Sequence, residues 1–528
     1  PPPGMFPEIF RLNTSHTYGA VINQYRSAFD AEPAMRSIVQ GKPTGKLNPA
    51  HPRTIEVLQQ YALEWAQKNP ESDCISMDPS DGGGWGTSPD ELAIGTPSDR
   101  AVFIANAVAT FLNDRFPGKF VGIYAYNEHS PAPTRVRVDP RVIVSFATAF
   151  IRGGFSVEEL MQAWGAMGAQ LMGIREYHSV AAWDMSRPSG GRAASLQYLA
   201  ETLPKYHALG ARFYTTEAGE NWGSQGLGNY FTARAAWDLK DAAGADAMLD
   251  EFIAKCFPEA QETMRDFYRQ NLHPKRSALL SSDLIGRMYR QLHAAREATT
   301  DPAARRRIEA LIVYTRYSEL LLAYSNARAS EAPDDQQHAA MEALVKFAYR
   351  TRSTRMVSSL AIYRDASNPR RNKALQTIPG TDWKIPEGKN PWKNSEPLTG
   401  SEIDAFVSEG IAHHPLLEFE PVSFSRNLVP ATPLAAASGS RPPKDFQVHI
   451  RGNNQLLTWS DDPAQPIRFS GAGGSIYTNL GDVTVSLLRL DPEAGEGAGE
   501  EGDDELPVFT KPDAQTSLPP DKEMREIL

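Results

Sequence analysis

The feature that most constrains this chain is a repeated alternation, from its start to about residue 235, of short β-rich runs with amphipathic helical stretches. Such alternation marks βα units, in which parallel strands are joined by crossover helices. The strand candidates are IFRLNTS (9–15), CISMDPS (74–80), FVGIYAY (120–126), VIVSFATA (142–149), LMGIREY (171–177) and ARFYTTE (211–217). Apolar residues at helical spacing fill 54–69, 99–116, 156–170 and 196–210 between them. Asp99, after TPS, reads as the N-cap of the second helix, and FPG closes it. The fold expected is α/β: a (β/α)8 TIM-like barrel over residues 1–235, then a helical region and a C-terminal β-sandwich-like domain. Six strands are visible where a closed barrel needs about eight, so the others are expected upstream or within irregular segments.

Beyond the barrel, residues 236–365 carry long amphipathic stretches such as ARRRIEALIVYTRYSELLLAYSNARA, expected to pack as helices on the barrel. Tyr314, Tyr317 and Tyr324 form a stripe there that reads as packing. Residues 366–445 are rich in Pro, Asn and Ser and read as an extended linker. Alternating runs over 446–528 suggest a small, incomplete β-sandwich-like domain, with a mobile acidic loop at 492–505. The abrupt ends PPPGMFPE and DKEMREIL read as cuts through a longer precursor.

Charge and motifs remove several function classes. A net charge of −10 disfavours nucleic acid and anionic membrane partners, which need a basic face. No run of about 18 apolar residues is present, so no membrane span is expected. The two cysteines, Cys74 and Cys256, sit in apolar surroundings without metal-ligand spacing and read as free thiols. There is no P-loop, dinucleotide fingerprint, GxSxG elbow or HExxH pair, so neither cofactor nor metal is expected.

The chemistry concentrates at strand ends, where barrel enzymes place catalytic groups. Met77-Asp78-Pro79-Ser80-Asp81-Gly82-Gly83-Gly84-Trp85 offers two acids, a glycine run that lets backbone approach a ligand, and an aromatic suited to a sugar face. Asn127 and His129, after the third strand run, are expected to bind sugar hydroxyls, although a satisfied structural histidine is an equal reading. Glu176 ends an apolar run, where an acid is costly unless it faces a polar cavity; Tyr177 and Trp183 follow it. Glu217, Glu220 and Trp222 form a fourth cluster, an acid-bearing strand end followed by a Gly-rich turn. The alternative for these two acids is a charge at the N-terminus of the next helix.

The segments NPAHPRTIEVLQQYALEWAQKNPESDCISMDPSDGGGW, SDRAVFIANAVATFLNDRFPGKFVGIYAYNEHSPAP, LMGIREYHSVAAWD and TTEAGENWGSQGLGNYFTARAAWD resemble the domain-of-unknown-function 4838 proteins, classified as glycoside hydrolase family 163. The resemblance spans roughly residues 29–270. It implies endo-β-N-acetylglucosaminidase activity on complex N-glycans, a (β/α)8 barrel with added domains, and export by a bacterium to a secreted, periplasmic or cell-surface location. It also implies a distant likeness to α-glucuronidases and family 20 hexosaminidases.

Glycoside hydrolysis needs one carboxyl to protonate the leaving oxygen and a second group to attack, activate water or steady a substrate acetamide. Strand-end position makes Glu217 the expected general acid and Glu176 its partner, with Asp81, Trp85, Asn127, His129, Tyr177, Trp183, Glu220 and Trp222 binding an oligosaccharide or glycoprotein glycan. An exo-glycosidase of α-glucuronidase-like type, with Arg175 or His178 holding a uronate, stays open. So does a glycan-binding protein without catalysis.

Overall fold

The computed structural model describes residues 10–274, 279–330, 332–366 and 395–416, and beyond them six short strands. The chain divides into two compact units. The first comprises Pro1–Glu176, Lys205–Thr216 and Arg468–Leu528; the second comprises Tyr177–Pro204 and Glu217–Ile467.

In the first unit two short helices, Tyr18–Gln24 and Arg26–Ala31, lead into a hairpin, β1 (Arg36–Val39) and β2 (Lys42–Leu47). Its centre is a parallel sheet in the order β3 (Cys74–Ser76), β4 (Phe120–Asn127), β5 (Val142–Ile151), β6 (Leu171–Ser179) and β7 (Ala211–Ala218). The apolar runs of β3, β4 and the first half of β5 are buried on both faces, the pattern of a parallel sheet covered by helices. Helices Pro52–Lys68 and Pro97–Asn113 pack Leu58, Ala62, Val102, Ala105, Val108 and Ala109 into the core beneath β3 and β4.

The sheet is open, with β3 and β7 as its edges, and this corrects the closed eight-stranded barrel expected from the sequence. The reason lies in two segments. Of the run 9–15 read as a strand, the described residues 10–15 make no ladder. Their backbone groups are instead intercepted by side chains: Arg11 N donates to Asp73 Oδ2 at 2.6 Å, Ser15 N to Ser76 Oγ at 3.0 Å, and Ser76 Oγ to Ser15 O at 2.6 Å. Only His16 forms a bridge, parallel to Asp78. This segment lies so close to the sheet that a Cβ on Gly122 would meet the Asn13 carbonyl at 3.0 Å and the Thr14 methyl at 2.7 Å, which is why β4 carries a glycine there. After β7 the chain turns to helices and, among the described residues, adds no further strand to the sheet. Five strands fall short of the eight or so that closure needs.

The second unit is largely helical. Helices Ser282–Glu297, Pro302–Ala329 and Asp334–Arg350 bury Leu284, Met288, Leu292, Ile308, Ile312, Leu344 and Val345 in one apolar cluster. Tyr314 and Tyr317 are buried in it, their hydroxyls donating to the Ser186 and Met185 carbonyls at 2.7 Å. Inside the stretch read as a linker, Gly400–His413 is a helix with a Thr399–Glu402 capping box. Most of 446–528 lies outside the described residues. What is described across 428–526 is three two-stranded ladders: β8 (Leu428–Pro430) with β9 (Gln455–Leu457), β10 (Ser470–Gly471) with β13 (Arg525–Glu526), and β11 (Val483–Leu487) with β12 (Ala514–Leu518).

Asp99 plays a larger part than the cap expected of it. The N-cap of helix Pro97–Asn113 is Thr96, and Asp99 closes the capping box from the N3 position. Its other oxygen accepts the backbone N–H groups of Thr134, Arg135 and Val136 at 2.7–2.9 Å. Burial alone raises a carboxyl, but the Val136 and Arg135 N–H groups, with Thr96, outweigh it and hold Asp99 at about 2. A folded value below the unfolded one stabilises the fold above pH 4, and that stability is lost as pH falls toward 2. Asp99→Asn is therefore expected to cost about 2 kcal/mol at pH 7, read from the urea midpoint. A midpoint unchanged at pH 7, or a cost that persists undiminished at pH 2, contradicts this account.

Candidate active site

The site is best built outward from Asp78. Beyond β3, Met77 and Asp78 are both fully buried, so the carboxylate needs donors from the protein. Three stretches supply them. Tyr124 N, on β4, donates to Oδ1 at 2.7 Å. His129 Nε2 lies 3.4 Å from the same oxygen, and His16 Nδ1 lies 2.7 Å from Oδ2. Burial pushes Asp78 up, but the hydrogen bonds from His129 and His16 win and hold it below the usual carboxylate value. The two histidines respond in opposite ways. Burial lowers His129; for His16 the hydrogen bond and charge of Asp78 overcome burial and raise it. His16 Nδ1 also sits 2.7 Å from the Pro79 carbonyl. Both of its neighbours are acceptors only, so Nδ1 carries the hydrogen.

The loop after Asp78 is clamped by the β1–β2 hairpin. The Lys46 ammonium donates to the Ser80 carbonyl, and Thr44 Oγ1 donates to the Gly84 carbonyl at 2.6 Å. Lys46 is fully buried, and burial lowers it to about 8 against the raising charges of Asp78, Glu128 and Asp81. Trp85 is buried too, with Lys46 Nζ 5.1 Å and Arg100 Cζ 5.8 Å from its ring. Its indole N–H has no partner among the described residues, and neither do His129 Nδ1 and the Tyr18 hydroxyl. Tyr126, the penultimate residue of β4, donates its hydroxyl to Asp81 Oδ1 at 2.9 Å. Glu128 reaches the same loop: a Cβ on Gly83 would lie 3.0 Å from its Oε1.

The sequence readings therefore converge in part. Asp81 and Trp85 from one sequence cluster and His129 from another meet around Asp78, although Trp85 and His129 are packed inside rather than displayed. Asn127 sits beside them in the left-handed region (φ 49°), a conformation asparagine tolerates, and its Oδ1 accepts from Arg152 Nε at 3.0 Å. Glu176, near the end of β6, is fully buried and accepts the Thr148 hydroxyl at 2.5 Å. Arg175, before it, lies with its guanidinium 5.7 Å from the Tyr124 ring.

The remaining candidates belong to the second unit. Buried Tyr177 packs against half-exposed Trp183, ring centres 5.2 Å apart. Glu217 is half-buried at the end of β7. The Glu220 backbone N–H donates to Ser358 Oγ at 3.3 Å, its carboxylate stands 3.9 Å from Arg355, and Trp222 is largely exposed. Here too the structure adds a group: Asn221 Nδ2 donates to Ser179 Oγ at 2.7 Å, and that hydroxyl donates to Asp184 at 3.4 Å. Burial raises Asp184.

Three residues escaped the sequence reading: His16, Lys46 and Tyr126 as the partner of Asp81. Lys46 had a signal, because KPTGKL places a lysine beside the apolar Leu47 at the buried end of a hairpin strand. His16 had none, since its partner lies 62 residues away. Among the described residues, no group of three or more His, Cys, Asp or Glu is placed to hold a metal.

A family model described as "Domain of unknown function (DUF4838)" matches residues 4–269, half of the chain. No curated protein matches it.

The position of Lys46 has a measurable consequence. Its folded value of about 8 lies below the unfolded value near 10.4, so between these limits the unfolded chain binds more protons. Stability should rise with pH across that window and fall as pH drops back to 8. Relative to Lys46→Met, wild type should gain about 3 kcal/mol between pH 8 and 10.5 in urea unfolding. A constant difference over this range is incompatible with a desolvated ammonium at this position.

Proposed function

We propose that this chain, which belongs to the DUF4838 family, hydrolyses a glycosidic bond in a glycan, with β-linked N-acetylglucosamine of N-glycans as the first substrate class. The observation that supports this reading is the set of carboxylates at the C-terminal ends of parallel strands, in contrasting surroundings: Asp78 buried among donors, Asp81 on a Gly-rich loop, and Glu176 buried beside a hydroxyl. The C-terminal ends of parallel strands are where open α/β sheets bind ligands. Glycoside hydrolysis requires acids whose environments separate their roles.

In this reading Glu176 is the partner carboxylate, steadying positive charge at the anomeric carbon or orienting a substrate acetamide. Asp81, fixed by Tyr126, holds a sugar hydroxyl. Within the second unit, and by themselves, the half-exposed Trp183 ring beside Tyr177 and the exposed Trp222 are apolar faces of the kind sugar rings stack on. Glu217, the acid expected from the sequence, belongs to the second unit, and Glu217→Gln tests that expectation by itself.

Released N-glycan pools and glucuronoxylan fragments, with products followed by mass spectrometry, distinguish the substrate classes. Glu176→Gln should lower turnover on the cleaved substrate by about 10²–10⁴-fold with an unchanged unfolding midpoint. Full turnover in that variant removes Glu176 from the reaction. Wild type that binds glycans and cleaves none of them is a glycan-binding protein, and the hydrolase reading is then wrong.

A further inference from the structure

We infer that His16, held by Asp78, is the proton-transfer residue of this site, a role the sequence reading assigned to a glutamate. The inference rests on the hydrolase reading and adds the identity of its acid–base group.

Both oxygens of a fully buried carboxylate are engaged, one by Tyr124 N and the other by His16 Nδ1 at 2.7 Å. Asp78 and the Pro79 carbonyl together fix the hydrogen on Nδ1, so neutral His16 presents Nε2 as an acceptor and protonated His16 presents it as a donor. Nε2 has no hydrogen-bond partner among the described residues, and the His16 side chain is one-third exposed, unlike His129. The ring is held in place by the aromatic rings of Tyr124 and Tyr126, centroids 5.7 and 5.4 Å away, both on β4. A carboxylate that fixes the tautomer of a partly exposed imidazole is the arrangement acid–base catalysis uses.

The groups facing His16 are Asp78 and Asp81 on the loop after β3, Tyr124 and Tyr126 on β4, and the more distant His129. The two aspartates favour the imidazolium and His129, when charged, opposes it. Protonated His16 gives its Nε2 hydrogen to the glycosidic oxygen as the C–O bond breaks and the bonding pair passes to that oxygen. Neutral His16 then takes a proton from the water whose oxygen bonds to the anomeric carbon. The imidazolium is restored, and the net change is hydrolysis.

The test compares two glycosides of one sugar, a 2,4-dinitrophenyl glycoside, whose leaving group needs no proton, and the natural oligosaccharide. His16→Gln should lower kcat/KM, which reports cleavage of the glycosidic bond, by about 10²–10⁴-fold for the oligosaccharide, leave it within about tenfold for the dinitrophenyl glycoside, and remove the alkaline limb of the pH–rate profile. Asp78→Asn should shift that limb to lower pH. Equal loss on both substrates, or the leaving-group pattern appearing in Glu217→Gln instead, overturns the assignment. Nitrogen-15 NMR of the His16 ring gives a readout free of turnover: neutral His16 should carry its hydrogen on Nδ1, and a hydrogen on Nε2 overturns the inference alone. A wild type that cleaves neither glycoside defeats the hydrolase reading itself.

Discussion

The first unit depends on one buried charge. Asp78 is out of water at the end of β3, and its ionised form survives there because three separate stretches of chain point donors at it. An ion this deep costs several kcal/mol to desolvate, and removing one partner of such an arrangement typically costs 3–5 kcal/mol. The carboxylate therefore acts as a staple. It joins β3 to β4 through Tyr124 N, ties the end of the N-terminal segment to the sheet through His16, and draws the turn after β4 inward through His129. The same bonds explain why residues 10–15 lie along the sheet without pairing into it: their contacts are made by Asp73 and Ser76 side chains, and their one bridge is at His16.

Around this staple the protein spends polar burial where apolar packing would be more stable. Lys46 is desolvated, Trp85 is flanked by two cations with its indole N–H unpartnered, and Glu176 is buried behind a hydroxyl. Natural proteins keep such groups mostly where chemistry needs them. The hairpin that clamps the Asp81 loop has the same logic. Thr44 and Lys46 hold carbonyls of a Gly-rich loop that has few side chains with which to hold itself. The second unit contrasts with this. Its helices are joined mainly by apolar faces, and its buried Tyr314 and Tyr317 give their hydroxyls to backbone carbonyls.

Much of the fold was legible because it is written in local pattern. Runs such as FVGIYAY and VIVSFATA can be little other than strands covered on both faces, and β3 to β7 lie where such runs occur. The cap of helix Pro97–Asn113 was misplaced by three residues, since Thr96 and Asp99 are both capping types and only the backbone N–H groups of 134–136 show why Asp99 belongs at N3. At the site, Asp81, Trp85 and His129 stood out by type and position, but not that Trp85 and His129 are enclosed. His16 was invisible because its meaning comes from Asp78, 62 residues on.

What the sequence determined by itself, then, was the parallel strands β3 to β7, the helices around them and the acids at strand ends, because hydrophobic period and turn chemistry act over a few residues. It misread the run at 10–15 as a strand and the helix Gly400–His413 as linker. Whether the sheet closes was decided only in three dimensions. Closure depends on hydrogen bonds between the first and last strands, and side chains of Asp73 and Ser76 took the place of that pairing at one edge. The orientation of His16 was decided in the same way, since a tautomer is set by whichever acceptors the fold brings to a ring.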